Sequence, residues 1–327
     1  MNLSAYVLRR VLYAIPIIIG VNLITFLLFF VLNSPDKMAI RNNPKNATKE
    51  LLEKWKREHN YHLPLLWSPA EKGLDKVTQT IFVQKSAGLL LFRLGKSDRN
   101  NMDIGGEIFR RMGPSLVIMV PVFFLGIMTT ISCALIVAYY RATYVDTWGL
   151  VLSVVMMSIS ALFYVIAGQF LLGKVLRLVP ISGFEQGLSA TRFVILPILI
   201  GVITGLGGGV RFYRTMFLEE MNRDYIRTAR AKGLSERVVL FRHVLKNAMI
   251  PILTQVVVAI PFLFVGSFLL EVFFGIPGLG SFTIEAINSQ DFAIVRAMVY
   301  IDSLLYIAGL IMTDISYTLV DPRIRLS

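Results

Sequence analysis

The chain has 327 residues, 55% hydrophobic and only 17% charged, against roughly 25% charged in soluble domains. Its mean hydropathy is +0.65, and the apolar residues fall in long runs rather than at helix or strand period. That pattern excludes a soluble globular domain and points to an all-α polytopic membrane protein, since about 20 apolar residues in helix cross the hydrocarbon. The net charge of +12 sits in loops, with no basic face interleaved with aromatics, so nucleic-acid binding is not expected. The single cysteine, Cys133, lies inside an apolar run and carries no redox signal.

The first run, 11–32, is longer than a signal-peptide core and has no small-x-small site after it, so a retained first span is expected. A long polar segment follows. Within it, 47–61 ("ATKELLEKWKREHNY") has helical character, and 105–115 ("GGEIFRRMGPS") reads as the approach to the next span. Further spans are expected at 115–140, 148–173, 193–217, 248–271 and 294–316, about six in all. The simplest partition is an N-terminal segment with the first span (1–32), an extracytoplasmic loop (33–114), and a membrane core (115–327) that carries a cytoplasmic segment, 218–247.

Lysine and arginine set the orientation. Arg9, Arg10, Arg141, the basic residues of 223–246, Arg323 and Arg325 fall on one side, which the positive-inside rule makes cytoplasmic, together with both termini. Lys174, Arg177, Arg192 and Arg296 are the basic residues of the short loops opposite. The long loop 33–114 is also basic, but long segments translocate largely regardless of charge.

Inside the spans, Gly201, Gly205 and Gly209 fall four apart, with Gly207 and Gly208 added. Small residues at that spacing let helices approach closely; a bend or gate in a translocation path is the other reading. Asp302 is a carboxylate within the last span, either facing a wet pathway or bonded to a neighbouring helix.

Two short patterns are decoys. "LGKS" (94–97) imitates the end of a phosphate loop, but that loop needs glycine at position 90, where Leu90 stands. His59 and His62 form a His-x-x-His pair with no evident third ligand, so a surface pair is expected and no metal. No nucleophile–base arrangement or paired carboxylates can be argued from the spans.

The segment 224–254, "DYIRTARAKGLSERVVLFRHVLKNAMIPILT", turns abruptly basic between two apolar spans. Residues 225–232 read as a short helix, Gly233 suits the left-handed residue that ends it, and Ser235 can cap the next helix with Glu236 in its first turn. The second helix should align Val238, Phe241, Val244 or Leu245, and Ala248. Topology needs only charge. Paired helices about a capped turn suggest a rigid knob for an acidic cleft on a partner, with Ala229, Ala231 and Gly233 allowing close approach.

This stretch resembles the cytoplasmic coupling loop of ABC-importer permeases of the dipeptide, oligopeptide and nickel family. Gly233 matches the glycine of the motif; Arg227-Thr228-Ala229 stands where Glu-Ala-Ala is usual, and Leu245-Lys246 where Leu-Pro is usual. "YVLRRVLYAIPIIIGV" (6–21), "LVPISGF" (178–184), "LPILIG" with Arg211 and Arg214, "EVFFGIPGLGSF" (271–282) with Asp291, and "DISYTLVDPRI" (314–324) are similar to family segments in the same order. The wording is nearest to the first permease subunit of such systems, leaning to the microcin C-type branch. "SPDKMA" (34–39) replaces the usual Pro-Gly-Asp-Pro, and a proline common in the third span is absent around Ala161.

The resemblance implies a type I importer permease fold in a bacterial inner membrane. It implies a second permease subunit, two ATP-binding subunits that hold ATP and Mg, and an extracytoplasmic substrate-binding protein. This chain would hold no cofactor and would move peptides or peptide-like solutes by alternating access. Arg227, Ala229, Arg230, Gly233, Leu234, Ser235 and Glu236 would couple to the ATPases; Glu271, Asp302, Gly205 and Gly209 are candidates for the pathway or gate. A nickel-complex importer, an ion or solute channel independent of ATP, and a membrane enzyme are the competing readings. A channel would need a filter or charge rings, and an enzyme clustered His, Asp or Glu on span faces; neither pattern is present in the sequence.

Overall fold

A computed structural model describes residues 3–42, 48–69, 73, 75–185 and 187–320. Ala47, Arg323, Arg325 and the end of the segment 314–324 lie outside the described residues. Among those described, the regular elements are helical; one isolated bridge pairs Lys96 with Asp103. Among the described residues, five helices are long and apolar enough to cross a membrane: Leu8–Phe30, Ile104–Tyr139, Ala190–Met221, Glu236–Phe274 and Phe292–Ser316. The third expected span is not a straight helix. It is a pair, Tyr144–Ser158 and Ala161–Val175, bent by 89°.

That break needs no proline. Ile159 is extended (φ −87°, ψ 129°), and the Ser160 hydroxyl caps a new helix by accepting from Leu162 N at 3.3 Å. Tyr164 braces the corner through a hydroxyl bond to Met156 O at 3.0 Å. The second span also differs from expectation, because its helix begins at Ile104 and absorbs the supposed approach segment. Asp103 starts it, accepting from Gly106 N at 2.7 Å.

The chain divides into two compact units, 1–111 with 282–311, and 112–281 with 312–327. In the first, the polar segment after the first span folds rather than trailing. Helix Lys49–Glu58 sets Trp55 against Phe26, Phe30, Met38 and Tyr61 in a buried cluster. His59 stacks on Trp55 with ring centroids 4.3 Å apart.

Beneath this cluster lies a polar network. The Tyr61 hydroxyl donates to Asp98 Oδ2 at 2.5 Å, Lys85 Nζ lies 3.5 Å from Asp98 Oδ1, and Asp98 N donates to Asp291 Oδ1 at 3.4 Å. Burial is the main reason that the Lys85 ammonium is held below its ordinary range and the Tyr61 phenol well above its own. The "LGKS" segment is a turn in which the Ser97 hydroxyl donates to Asp291 and accepts from Arg99 N and Asn100 N.

In the second unit, glycines let helices touch. A Cβ at Gly207 would fall 2.7 Å from Ser153 O, at Gly201 2.8 Å from Val122 Cγ2, and at Gly209 2.5 Å from Thr130 Cγ2. These positions belong to helix packing. A Cβ at Gly205 would meet nothing within 4 Å. Arg214 grips Asp146 with a two-pronged bond, Nε to Oδ1 at 2.7 Å and Nη2 to Oδ2 at 2.8 Å, which joins the start of the bent pair to Ala190–Met221. Asp146 Oδ2 also accepts from Ala142 N at 3.0 Å and so closes the loop after the second span.

Candidate functional site

The basic insert forms the knob that its sequence suggests. Helix Asp224–Ala231 opens with Asp224 in the first turn, where the helix dipole favours an acid. It ends in a Schellman turn: Gly233 N donates to Arg230 O at 2.9 Å and Leu234 N to Ala229 O at 3.3 Å. Gly233 takes φ +75°, the left-handed region in which a Cβ is strained. Ser235 then enters the next helix with extended backbone (φ −61°, ψ 146°), although its side chain makes no capping bond, contrary to the cap expected of it. Across the turn, Arg230 clasps Glu236 at 2.8 and 3.1 Å. Both side chains are largely exposed, so the clasp orders the turn more than it stabilises the chain.

The knob is bolted to the second unit from one side. Ile226 and Ala229, three apart on the short helix, are buried in a cluster with Ala138, Phe217, Val239 and Val244. Ala229 therefore packs against its own chain and offers no surface to a partner. The second helix also differs from expectation. Val239–Leu245 widens into a π-helical turn, so Val239, Leu240, Val244 and Ala248 face inward while Val238 and Phe241 are exposed. A 3.6-residue period puts the wrong residues inside because the wider turn shifts the register. Arg227, Arg230, Lys232, Gly233, Leu234, Ser235 and Glu236 all lie on the exposed side.

Tyr225 anchors the start of the knob through its hydroxyl bond to Glu220. Burial, and then the hydrogen bond to Glu220 and its charge, push its phenol up to about 12.

Of the four pathway candidates, Glu271, Gly205 and Gly209 belong to the second unit and Asp302 to the first. Glu271 is 1% exposed. Its carboxylate accepts from Ser115 Oγ at 2.8 Å, Ser267 N at 3.2 Å and Ser281 N at 2.9 Å. Gly266 and Gly278 form the walls of this nest, since a Cβ on either would sit 2.1 or 2.3 Å from a carboxylate oxygen. Ser115 also accepts from Leu279 N at 2.8 Å. The carboxylate thus folds the glycine-rich loop 275–281 around itself instead of lining an open path. Asp302 is half-buried, and its Oδ1 has no hydrogen-bond partner among the described residues. Gly209 packs on Thr130, and Gly205 is open.

Sequence reasoning missed two pieces of machinery. The Asp146–Arg214 clasp was signalled by an arginine near the end of an apolar span, which needs a buried acid. The Ser115–Glu271 nest had no local signal, because its parts lie 156 residues apart.

Helical spans, a folded polar segment and a knob between two spans together define a polytopic membrane protein. The sequence pattern of the binding-protein-dependent transport system inner membrane components matches residues 126–326. The chain belongs to that family. It is 31% identical, over 99% of both chains, to a putative peptide transport system permease protein of Brucella abortus. It is 28% identical to the oligopeptide transport system permease protein AppB of Bacillus subtilis, over 99% of this chain and 100% of the relative. A probable peptide ABC transporter permease protein of Sinorhizobium fredii is also 28% identical, over 99% of this chain and 100% of the relative.

Proposed function

We propose that this chain is one permease subunit of an ATP-driven importer that carries peptides or peptide-like solutes inward across a bacterial inner membrane. The observation that carries the coupling half of this reading is the knob at 224–236, exposed on its basic side and seated through Ile226 and Ala229 in the chain's own core. Such a seating transmits a push on the knob to the helices behind it as a rigid body. The relatives' names supply the cargo class.

In this reading both termini and the knob are cytoplasmic, and ATP and Mg are bound by two partner subunits rather than here. A second permease subunit lines the other half of the path, and an extracytoplasmic protein delivers the solute. Arg227, Arg230, Gly233, Leu234, Ser235 and Glu236 make the contact with the ATPases, and Ala229 positions them. Asp302, with one oxygen unsatisfied among the described residues, is the residue offered to the path. Outward- and inward-facing states alternate as the ATPases close and open.

The test compares Gly233→Asn with Gly233→Trp in co-purification of the ATP-binding subunits. Asparagine tolerates the left-handed conformation, so it should retain them; tryptophan adds bulk at the tip and should lose them while the chain still inserts. Full recovery with Gly233→Trp would move the ATPase contact elsewhere. Uptake of a labelled oligopeptide, lost on deletion of this chain and restored by the wild type, tests the cargo.

A further inference from the structure

A groove of about 360 Å³ lies where the second span ends beside the π-helical turn. Its lining combines the buried Leu135 and Leu240 with the exposed Ile136, Tyr140 and Phe241, and includes Arg237. From Ser132 to Tyr140 it follows the span for about 12 Å at the helical rise. It therefore runs from the basic rim toward the hydrocarbon. Tyr139 and Tyr140 meet edge-on, ring centroids 4.9 Å apart. Paired tyrosines at a span's end are the signature of the headgroup level.

The charges around it are unbalanced. Asp146 is held by Arg214, Glu236 by Arg230, and Asp224 by Arg227. Arg141, Arg237 and Arg242, on the two segments that flank the groove, make no ion pair among the described residues. The lining thus offers one unneutralised guanidinium, that of Arg237, beside an apolar trough, within the volume range of small-ligand sites.

We propose that this groove binds one anionic phospholipid of the surrounding bilayer, phosphatidylglycerol in kind. The phosphate is held by Arg237, with Arg141 and Arg242 next in sequence to the lining residues Tyr140 and Phe241, and an acyl chain lies along Leu135, Ile136 and Leu240. Arginine suits this role because its planar fork matches phosphate oxygens. Bound there, the lipid braces the root of the knob against the second span. The inference rests on the chain crossing a membrane, and not on its cargo or on any ATPase.

The test uses the full chain, purified with whatever subunits stay bound, and native mass spectrometry with phosphatidylglycerol and phosphatidylcholine of identical acyl chains. Wild type should retain phosphatidylglycerol in preference, and Arg237→Gln should cut that preference about fivefold, as expected for one basic residue at a lipid surface. Arg237→Lys should keep part of it. Equal retention of the two lipids by wild type, or an unchanged preference in Arg237→Gln, overturns the proposal. A photoreactive residue at Tyr140, irradiated in native membranes, gives an independent readout. A phospholipid adduct supports the assignment; an exclusively protein adduct means a partner subunit fills the groove and overturns it.

Discussion

Arg214→Ala removes one side of the clasp on Asp146 and leaves a carboxylate with only the Ala142 amide. The two side chains are 15% and 10% exposed and joined at 2.7 and 2.8 Å, so water reaches neither freely. Breaking a pair this deep is expected to destabilise by about 3–5 kcal/mol, because the remaining charge is stranded. At roughly 1.5 °C per kcal/mol for a chain of this size, the apparent unfolding temperature in detergent should fall by about 4–7 °C. Arg214→Lys keeps the charge but not the fork and should fall between. The decisive variant is the double one. Asp146→Leu with Arg214→Met removes both charges and should recover most of the loss, since an apolar pair of similar volume is often no worse than a buried ion pair. The assay is thermal unfolding followed by intrinsic fluorescence in one detergent, comparing wild type, the single variants Asp146→Leu and Arg214→Met, and their double variant. If the double variant is as unstable as the sum of the two single ones, the clasp is not a coupled pair and the reasoning fails.

Three further outcomes follow from the geometry. Gly207→Ala pushes a methyl to 2.7 Å from a backbone oxygen and should destabilise by about 1–3 kcal/mol; Gly205→Ala meets nothing and should be neutral or slightly stabilising, as thermal unfolding of both will show. Tyr225 titrates at about 12 in the folded chain, so the unfolded form, at its ordinary value near 10, loses its proton first. Its contribution is therefore intact below pH 10 and is lost as pH rises from 10 toward 12; a difference titration of wild type against Tyr225→Phe at the tyrosinate absorbance should show one group ionising near the upper value, and a midpoint near 10 would contradict it. Asp98→Ala takes the acceptor from Tyr61 and the counter-charge from Lys85, and should open the segment 48–98 to limited proteolysis at concentrations of protease that spare the wild type. Unchanged digestion would mean that this network does not hold the segment.

Much of the protein was legible before any coordinates. Run length gave the spans because hydrocarbon thickness admits only helices of about 20 apolar residues. The order Lys232-Gly233-Leu234-Ser235-Glu236 announced a helix end and a restart, because local backbone sterics decide a left-handed turn. The observed Schellman bonds are the same physics seen in place.

What the sequence could not decide were matters of distance and register. Ser160 is only a weak local mark of the 89° break after Ser158, since serine also sits in continuous membrane helices; its cap and the Tyr164 bond to Met156 select the bend once the helices pack. The inward face of 238–248 depended on a π-helical turn that no periodicity predicts. Glu271 looked like a pathway acid because a lone intramembrane carboxylate is suspect by default. Only the tertiary structure brings Ser115 and the glycine walls to it, and only then is the charge seen to be satisfied within the chain. Sequence alone fixes what is local or set by the membrane's thickness; pairings between distant residues, and hence which charges are spent and which remain free, exist only once the helices pack.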